Sequence, residues 1–493
     1  MEPRVHERGD AAKANATHHA QRCLLLLLVA VAAAGCATTT ARPVEPPLAV
    51  PGAWQGAGGD AAAPPAGDLS RWWETLGDRT LTELVEQALV ANPDLRIAQS
   101  RLRQARAQRG LARIDFLPSI DGAVDAGTSK TTGSDARESY TAGLDASWEI
   151  DVFGATRRAV SAAQADVEAS EATLHHTQVS LAAEVALGYV ALRSFQARLA
   201  ISRSSLARQE ETLDLIRWRA QAGLTSELDV EQARANAEQT RAQIPSLETA
   251  LAQTEHALAT LVGQPPASLH ERLASEGSIP KVPDTVAVGI PADTLRQRPD
   301  VRAAERQLVA AIARVGEAKA ARFPTFRLSG ALGASGPTVG NLLSAETVAR
   351  SLLGSLTAPI FYRGRIRRQI EIQTEAQEQA LVGYESTVLA ALEEVENAIA
   401  ALANTRRRQL ALEAAVEASR VAAELARHRY STGLASYQTV LDTERTVLSA
   451  EDSLESSRAD GVQALVRLYK SLGGGWTAAP VVEATARRQS EEP

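Results

Sequence analysis

Two long segments of the chain carry apolar residues at steps of three and four, which is the spacing of a helical stripe. In the later segment, 365–472, the stripe consists of Ile366, Ile370, Leu381, Tyr384, Val388, Leu392, Val395, Ile399 and Leu402. A glycine at 433 divides this segment, and a glycine at 223 divides an equivalent earlier segment, 155–262. The pattern predicts two long helical hairpins. A helix of roughly 60 residues would be about 90 Å long.

Ahead of each helical hairpin the period of the pattern falls from about 3.6 residues to about 2. The clearest alternation places these apolar residues on one face: Tyr140, Ala142, Leu144, Ala146, Trp148 and Ile150. The alternation predicts two β-hairpins, 119–151 and 325–360. Strands of about ten residues can cross a membrane when tilted, with apolar side chains on lipid and polar ones on a lumen. A soluble hairpin with one buried face would show the same alternation.

The order of predicted elements occurs twice along the chain. Gly154 and Gly223 of the first half return as Gly364 and Gly433 of the second half, both at an offset of 210 residues. The chain is therefore predicted to be a tandem duplication with a mixed α and β fold.

Changes in composition divide the predicted duplication into segments. Repeat 1 covers 71–262 and repeat 2 covers 293–472. The connector between them, 263–292, is rich in proline and lacks a periodic pattern. The polar segment after the second repeat, 473–493, is predicted to be a flexible tail.

Four strands cannot close a membrane barrel, and an open edge in hydrocarbon leaves backbone groups without partners at a cost of several kcal/mol each. The chain is therefore predicted to form oligomers, with eight strands in a dimer and twelve in a trimer. Side chains largely fill an eight-stranded barrel, whereas a larger barrel leaves room for a channel. The polar strand faces and long amphipathic hairpins favour the larger barrel, extended by a helical tube.

The N-terminus has the layout of a bacterial export signal. Basic residues precede an apolar run, 23–34, which ends at Gly35-Cys36. The sequence predicts a signal peptide, 1–35, an N-acyl diacylglycerol modification of Cys36, and an Ala- and Pro-rich tether, 36–70. An ordinary signal peptide followed by a chance cysteine is the alternative. With Cys36 acylated and Cys23 removed, the mature chain has no thiol for a disulfide or a metal.

Charge and candidate chemistry argue against nucleic-acid binding and catalysis. The chain has 52 basic and 59 acidic residues, a net charge of −7, without a basic face of the kind that binds nucleic acid. His175 and His176 are adjacent on a predicted helix, so their side chains point about 100° apart and do not form a metal pair. They are predicted to be surface residues. The three glycines 473–475 lack the Lys-Ser/Thr of a phosphate loop. We expect no enzyme activity, no cofactor and no metal.

The residues resemble the TolC-type outer membrane factor family, in its lipoprotein branch of NodT-like and OprM-like efflux channels. The resemblance covers nearly all of 73–472. Besides the duplicated helix-strand-strand-helix order, its most specific parts are Trp148-Glu-Ile-Asp-Val-Phe-Gly154 and the paired turns Arg219-Ala-Gln-Ala-Gly223-Leu224 and Arg429-Tyr-Ser-Thr-Gly433-Leu434.

The resemblance implies a homotrimer in the outer membrane of a Gram-negative bacterium, with a twelve-stranded β-barrel and a periplasmic α-barrel. It also implies a periplasmic adaptor (a membrane fusion protein) and an inner membrane transporter, expected to be proton-driven. The expected function is the exit duct of a tripartite efflux pump that passively conducts small molecules such as drugs. The alternatives are the outer membrane component of a type I protein secretion system, a periplasmic coiled-coil adaptor and, more remotely, a cell-wall enzyme.

The resemblance also implies roles for the tips of the helical hairpins. One branch of the family places aspartates at the positions of Thr439 and Asp442, and only the second is present here. The residues expected to close a periplasmic gate are Tyr437, Leu441, Asp442 and Arg445, with Leu441 as an apolar constriction. The residues expected to contact the adaptor are Gly223, Leu224, Gly433 and Leu434. Alternatively, Asp442 lies on a solvated helix surface and the constriction is one turn away.

Overall fold

The computed structural model describes residues 50–54, 69–133, 135–275, 277–283, 291–344, 347–361 and 363–476. The predicted signal peptide, the predicted lipidation site Cys36, most of the predicted tether, residues 284–290 of the predicted connector and residues 477–493 of the predicted tail lie outside these residues.

The described residues form long helices and four strands. In the first repeat the elements are α1 (Arg79–Ala91), α2 (Pro93–Ile114), β1 (Ser119–Ser129), β2 (Arg137–Ile150), α3 (Ala155–Gln221) and α4 (Glu227–Leu261). Two short helices follow, α5 (His270–Leu273) and α6 (Pro291–Gln297). In the second repeat they are α7 (Pro299–Ala320), β3 (Thr325–Gly336), β4 (Val348–Thr357), α8 (Arg363–Ser431) and α9 (Tyr437–Ser471).

The four strands form one antiparallel sheet in the order β1-β2-β3-β4. The central pair joins the two repeats, because β2 of the first repeat pairs with β3 of the second from Tyr140 opposite Gly336 to Ile150 opposite Phe326. Strands β1 and β4 are the two outer strands of this sheet. The predicted combination of long helical hairpins with four strands is confirmed.

The compact units of the chain cut across the two sequence repeats. Unit 1 contains Arg103–Ala169 and Ala304–Tyr384, which are the sheet and the helix ends next to it in both repeats. The described parts of Pro47–Leu102, Ser170–Ala303 and Glu385–Pro493 belong to unit 2. Pairing of β2 with β3 explains the division, because strands from both halves of the chain complete one sheet.

Each unit has a core of its own. Unit 1 buries small side chains of α2, α3 and α7, among them Ala105, Ala162 and Ala310, which lets helices pack closely. Ion pairs in this unit join α7 to α3, with Arg306 Nη1 at 3.2 Å from Glu168 Oε2. Unit 2 buries larger side chains, including Trp72 and Tyr189.

Glycines end the long helices at the hairpin turns. Gly223 and Gly433 have φ of +72° and +77°, the left-handed conformation that glycine adopts most readily. The amide of Leu224 donates to the carbonyl of Arg219 at 2.8 Å, and Leu434 donates to Arg429 at 2.8 Å. The amide of each turn glycine also donates to the carbonyl of the residue three positions earlier. The two hydrogen bonds together form a Schellman motif, which ends the helix. Both turns are therefore specified by the glycine and built alike.

Candidate functional site: the sheet faces and the hairpin tips

The register of the strands gives the sheet one largely apolar face and one polar face. Residues paired across antiparallel strands point to the same side. Leu144 pairs with Gly122 on one side and with Leu332 on the other. The larger side chains on this apolar face are Ile120, Val124, Tyr140, Leu144, Trp148, Ile150, Phe326, Leu328, Leu332, Val348, Leu352 and Leu356. The apolar positions of the alternation in each strand therefore lie on one face of the four-stranded sheet.

The opposite face is polar. Asp145 pairs with Asp121 and with Ala331, and Ser147 pairs with Ser119 and with Ser329. The charged and hydroxyl residues on this polar face are Ser119, Asp121, Asp125, Ser129, Arg137, Ser139, Thr141, Asp145, Ser147, Glu149, Thr325, Arg327, Ser329, Ser335, Ser351, Ser355 and Thr357. Leu353 is the one large aliphatic residue that this register places among them. A face of this composition suits contact with water.

The charged exceptions on the apolar face lie toward one end of the sheet. Glu138 and Arg350 are the second and third residues of their strands, at the ends farthest from α3 and α8. Tyr140 lies close to this end and Trp148 lies eight residues along the same strand, about 27 Å at 3.4 Å per residue. Aromatic residues near both ends of an apolar band are typical of membrane strands.

The tips of the two helical hairpins share one hydrophobic core within unit 2, here called the tip core. It contains Leu213, Ile216, Val230, Ala233, Ala426, Tyr430, Tyr437, Val440 and Leu441, which come from α3, α4, α8 and α9. Tyr430 and Tyr437 meet edge to face, with ring centroids 5.9 Å apart. The two hairpin tips are therefore packed against each other rather than independent.

Two of the four predicted gate residues belong to the tip core. Tyr437 is buried, and Leu441 is 2% exposed. Burial and the nearby Glu444 carboxylate raise the pKa of Tyr437 above its usual range. Because these side chains contact helices of the same chain, they can influence a gate only through the packing of the tip. In the described conformation Leu441 does not project outward as an apolar constriction.

The other two predicted gate residues lie on the exposed side of α9. Asp442 accepts a hydrogen bond from Gln438 Nε2 at 3.0 Å, so Gln438 shares its face one turn away. Arg445 Nε donates to Asn236 Oδ1 of α4 at 2.9 Å, which links the second hairpin to the first. A gating role stays a prediction for Tyr437, Leu441, Asp442 and Arg445. Gln438, which contacts Asp442, is a residue of this exposed face that the sequence did not single out.

Polar contacts within the tip add further links between its helices. The guanidinium of Arg219 lies over the Tyr430 ring, 4.8 Å from its centroid, and so connects the first turn to the second hairpin. Between α8 and α9, Arg427 Nε and Nη2 donate to Glu444 Oε1 at 3.0 and 2.9 Å. Glu444 is buried, so this ion pair joins the two helices inside the tip.

The turns themselves expose apolar side chains. Leu224 and Leu434, each following the turn glycine, are 68% and 78% exposed, and Trp218 is 67% exposed. Large apolar side chains concentrated at an exposed tip are typical of a surface that meets another protein. Their role in contacting an adaptor stays a prediction.

The two histidines predicted to be surface residues are half-buried instead. His175 Nδ1 lies 3.0 Å from Gln178 Oε1, and its ring stacks on Trp476 at a centroid distance of 4.5 Å. Burial lowers the pKa of His176. Among the described residues, no group of three or more His, Cys, Asp or Glu side chains could hold a metal ion. None of the helices described is both long and apolar enough to span a membrane.

Proteins of known family are similar to this chain over most of its length. The model of a family described as outer membrane efflux protein matches residues 84–264 and 290–474. The pyoverdine export outer membrane protein OpmQ of Pseudomonas aeruginosa is 33% identical over 456 residues, covering 90% of this chain and 94% of OpmQ. The toluene efflux pump outer membrane protein TtgI of Pseudomonas putida is 32% identical over 413 residues, covering 82% of this chain and 87% of TtgI.

Solved structures of similar proteins have the same fold. The outer membrane channel OprN superposes with a TM-score of 0.80 at 38% identity, covering 88% of this chain and 100% of OprN. The open state of the Neisseria gonorrhoeae MtrE outer membrane channel superposes with a TM-score of 0.78 at 29% identity, covering 88% of this chain and 98% of MtrE. The resemblance seen in the sequence is confirmed. The chain belongs to the outer membrane efflux protein family, and it acts in the outer membrane as an exit duct for efflux.

Proposed function

We propose that three copies of the chain close their four-stranded sheets into one twelve-stranded barrel, which the helical hairpins continue as a tube into the periplasm. The division of the sheet into an apolar and a polar face is the observation that carries the proposal. The apolar face then meets lipid, and the polar face lines a water-filled lumen.

The outer strands β1 and β4 supply the reason for assembly. In hydrocarbon their unpaired backbone groups would cost several kcal/mol each, and pairing β4 of one copy with β1 of the next removes both edges. Two copies would give eight strands, whose interior is largely filled by side chains, whereas twelve strands leave room for passage of solutes.

Within this assembly the hairpin tips serve two purposes. The exposed Leu224 and Leu434 form the surface that meets a periplasmic adaptor, which connects the duct to an inner membrane transporter driven by protons. A threefold axis would bring three Asp442 carboxylates together, where their mutual repulsion favours uptake of cations or pairing with Arg445. The tip core, which includes Tyr437 and Leu441, holds this gate in place.

The proposed cargo is small organic molecules, including drugs, conducted passively. Relatives at about one-third identity are named for export of pyoverdine and for efflux of toluene and solvents. A duct with a wide polar lumen selects weakly, so the transporter would determine which molecules enter.

A mass measurement tests the proposed assembly. The protein would be extracted in mild detergent and its mass determined by native mass spectrometry. We expect one species with the mass of three chains, and the same sample should give discrete conductance steps in planar bilayers. A stable dimer or monomer would show that the sheet edges are satisfied in another way.

We also propose that Cys36 carries the lipid anchor, based on the small residues Gly35 and Ala34 that precede it. Cys36→Ser should abolish incorporation of radiolabelled palmitate and leave trimer yield within about twofold, because the strands bury one another's edges without the lipid. Cys23→Ser is the matched control and should label like the natural protein. Equal labelling of the Cys36 variant would place the acyl group elsewhere, whereas absence of label on the natural protein would indicate an ordinary signal peptide.

A further inference from the structure

The start of α8, at the helix-side end of the sheet, is unusually basic. Arg363, Arg365, Arg367 and Arg368 fall within its first six residues, and its first turn contains no acidic residue. The N-terminus of a helix carries partial positive charge, so cations there are unfavourable and acids are the usual choice. All four arginines are exposed. We call them the α8 basic cluster.

Three members of the α8 basic cluster have no partner in the described part of the chain. Arg368 pairs with Glu371 one turn along the helix, at 2.6 Å, whereas Arg363, Arg365 and Arg367 form no ion pair or hydrogen bond with the described residues. Three unneutralised cations at the positive end of a helix indicate that negative charge is supplied from outside the chain.

The first repeat shows how the same helix start is neutralised within the chain. At the start of α3, the Asp151 carboxylate accepts hydrogen bonds from the amides of Thr156 and Arg157 at 3.2 and 2.9 Å. It also lies 3.3 Å from Arg157 Nε. The 210-residue offset places Phe361 at the position of Asp151. The second repeat has therefore lost the internal acid.

The replacement also extends the apolar surface of the strand toward the cluster. Phe361 is 96% exposed, and it follows Ile360, which is exposed as well. Both lie three to four residues beyond the end of β4 at Thr357, and Leu352 and Leu356 of that strand lie on the apolar face of the sheet. The α8 basic cluster therefore begins two residues after the exposed Phe361 and six residues after the last residue of β4.

The dimensions fit the headgroup layer of a bilayer. From Arg363 to Arg367 the helix rises about 6 Å at 1.5 Å per residue. The polar layer on each side of the hydrocarbon is about 5 to 8 Å thick, the difference between a 30 Å core and a 40–45 Å bilayer. An adjoining copy is the less suitable partner, because α2, which leads into the outer strand β1, ends with Arg103, Arg106, Arg109 and Arg113.

We propose that the α8 basic cluster binds the phosphate groups of anionic phospholipids in the periplasmic leaflet of the outer membrane. The arginines supply the charge and bidentate hydrogen bonds that phosphate accepts, while Ile360 and Phe361 lie at the level of the acyl chains. The proposal rests on the outer membrane location of the family and on the proposed contact of the apolar sheet face with lipid, but not on the proposed gate.

Native mass spectrometry of the detergent-purified full chain, titrated with dioleoyl phosphatidylglycerol or dioleoyl phosphatidylcholine, tests the proposal. The natural protein should bind phosphatidylglycerol more tightly. In R363Q/R365Q/R367Q the apparent affinity for phosphatidylglycerol should fall at least about tenfold, because each basic residue near an anionic surface contributes about fivefold. Binding of phosphatidylcholine should not change.

Two further variants make the result specific. R363K/R365K/R367K keeps the charge and should keep the preference for phosphatidylglycerol. R203Q/R217Q/R234Q removes the same charge from exposed ion pairs in unit 2 and should bind like the natural protein. The proposal is overturned if the glutamine variant keeps its preference, or if the variant loses its assembly in detergent without lipid, which would assign the arginines to a neighbouring copy.

Discussion

Leu144→Arg is expected to abolish most of the SDS-resistant trimer, whereas Asp145→Arg is expected to leave it largely intact. Leu144 lies near the middle of β2 on the apolar face, between Gly122 and Leu332. An arginine on lipid near the membrane midplane costs about 2 to 4 kcal/mol in each chain. Three chains in one barrel multiply this cost.

Asp145→Arg is a matched control because it introduces the same side chain one residue away on the opposite face. Asp145 lies directly across from Asp121, so an arginine there replaces two like charges with an opposite pair. Trimer yields would be compared on unheated gels after extraction of equal amounts of membrane. Equal yields for the two variants would mean that the faces are reversed or that β2 does not contact lipid.

Leu441→Ala is expected to open the periplasmic end of the duct, whereas Leu434→Ala is expected to leave it closed. Leu441 is 2% exposed in the tip core, where removal of a leucine side chain costs about 2 to 5 kcal/mol. Leu434 is 78% exposed, and its truncation should change stability by less than about 0.5 kcal/mol. The first variant should raise single-channel conductance and sensitise cells to large antibiotics.

The same pair of variants separates gating from docking. Leu434→Ala should keep the natural conductance in planar bilayers but reduce efflux in cells, because it removes apolar surface from the proposed adaptor contact. Unchanged conductance in Leu441→Ala would place the gate outside the tip core. If a double variant, Leu224→Ala with Leu434→Ala, keeps full efflux, the adaptor contact lies elsewhere.

The strands could be predicted from the sequence because their period is simple. Alternation in each strand assigns every side chain to one of two faces, and the register of the sheet places the large apolar residues of all four strands, except Leu353, on the same face. The hairpin turns were equally predictable, since Gly223 and Gly433 carry the conformational signal themselves. The sequence did not show which helices pack against each face of a given helix.

That missing information matters most at the tip. Leu441 and Asp442 are neighbours in the sequence, but the packing of four helices buries the first and exposes the second. The sequence did not reveal this packing or the position of Gln438, which shares the exposed face with Asp442. The role of Leu441 as a constriction stays a prediction. The half-buried position of His175 was missed for the same reason, because the ring of Trp476, about 300 residues later in the chain, stacks on it.

Single-cysteine labelling along β2 tests most directly whether one face of the sheet meets lipid and the other a water-filled lumen. Cysteines would be placed one at a time at Leu144, Asp145, Ala146 and Ser147 in a Cys23→Ser background, in which the only remaining natural cysteine is Cys36, the proposed acylation site. The purified protein would be reconstituted in liposomes and treated with a charged, membrane-impermeant maleimide. We predict labelling at 145 and 147 and protection at 144 and 146. Labelling at all four positions, or the reverse pattern, would contradict the account.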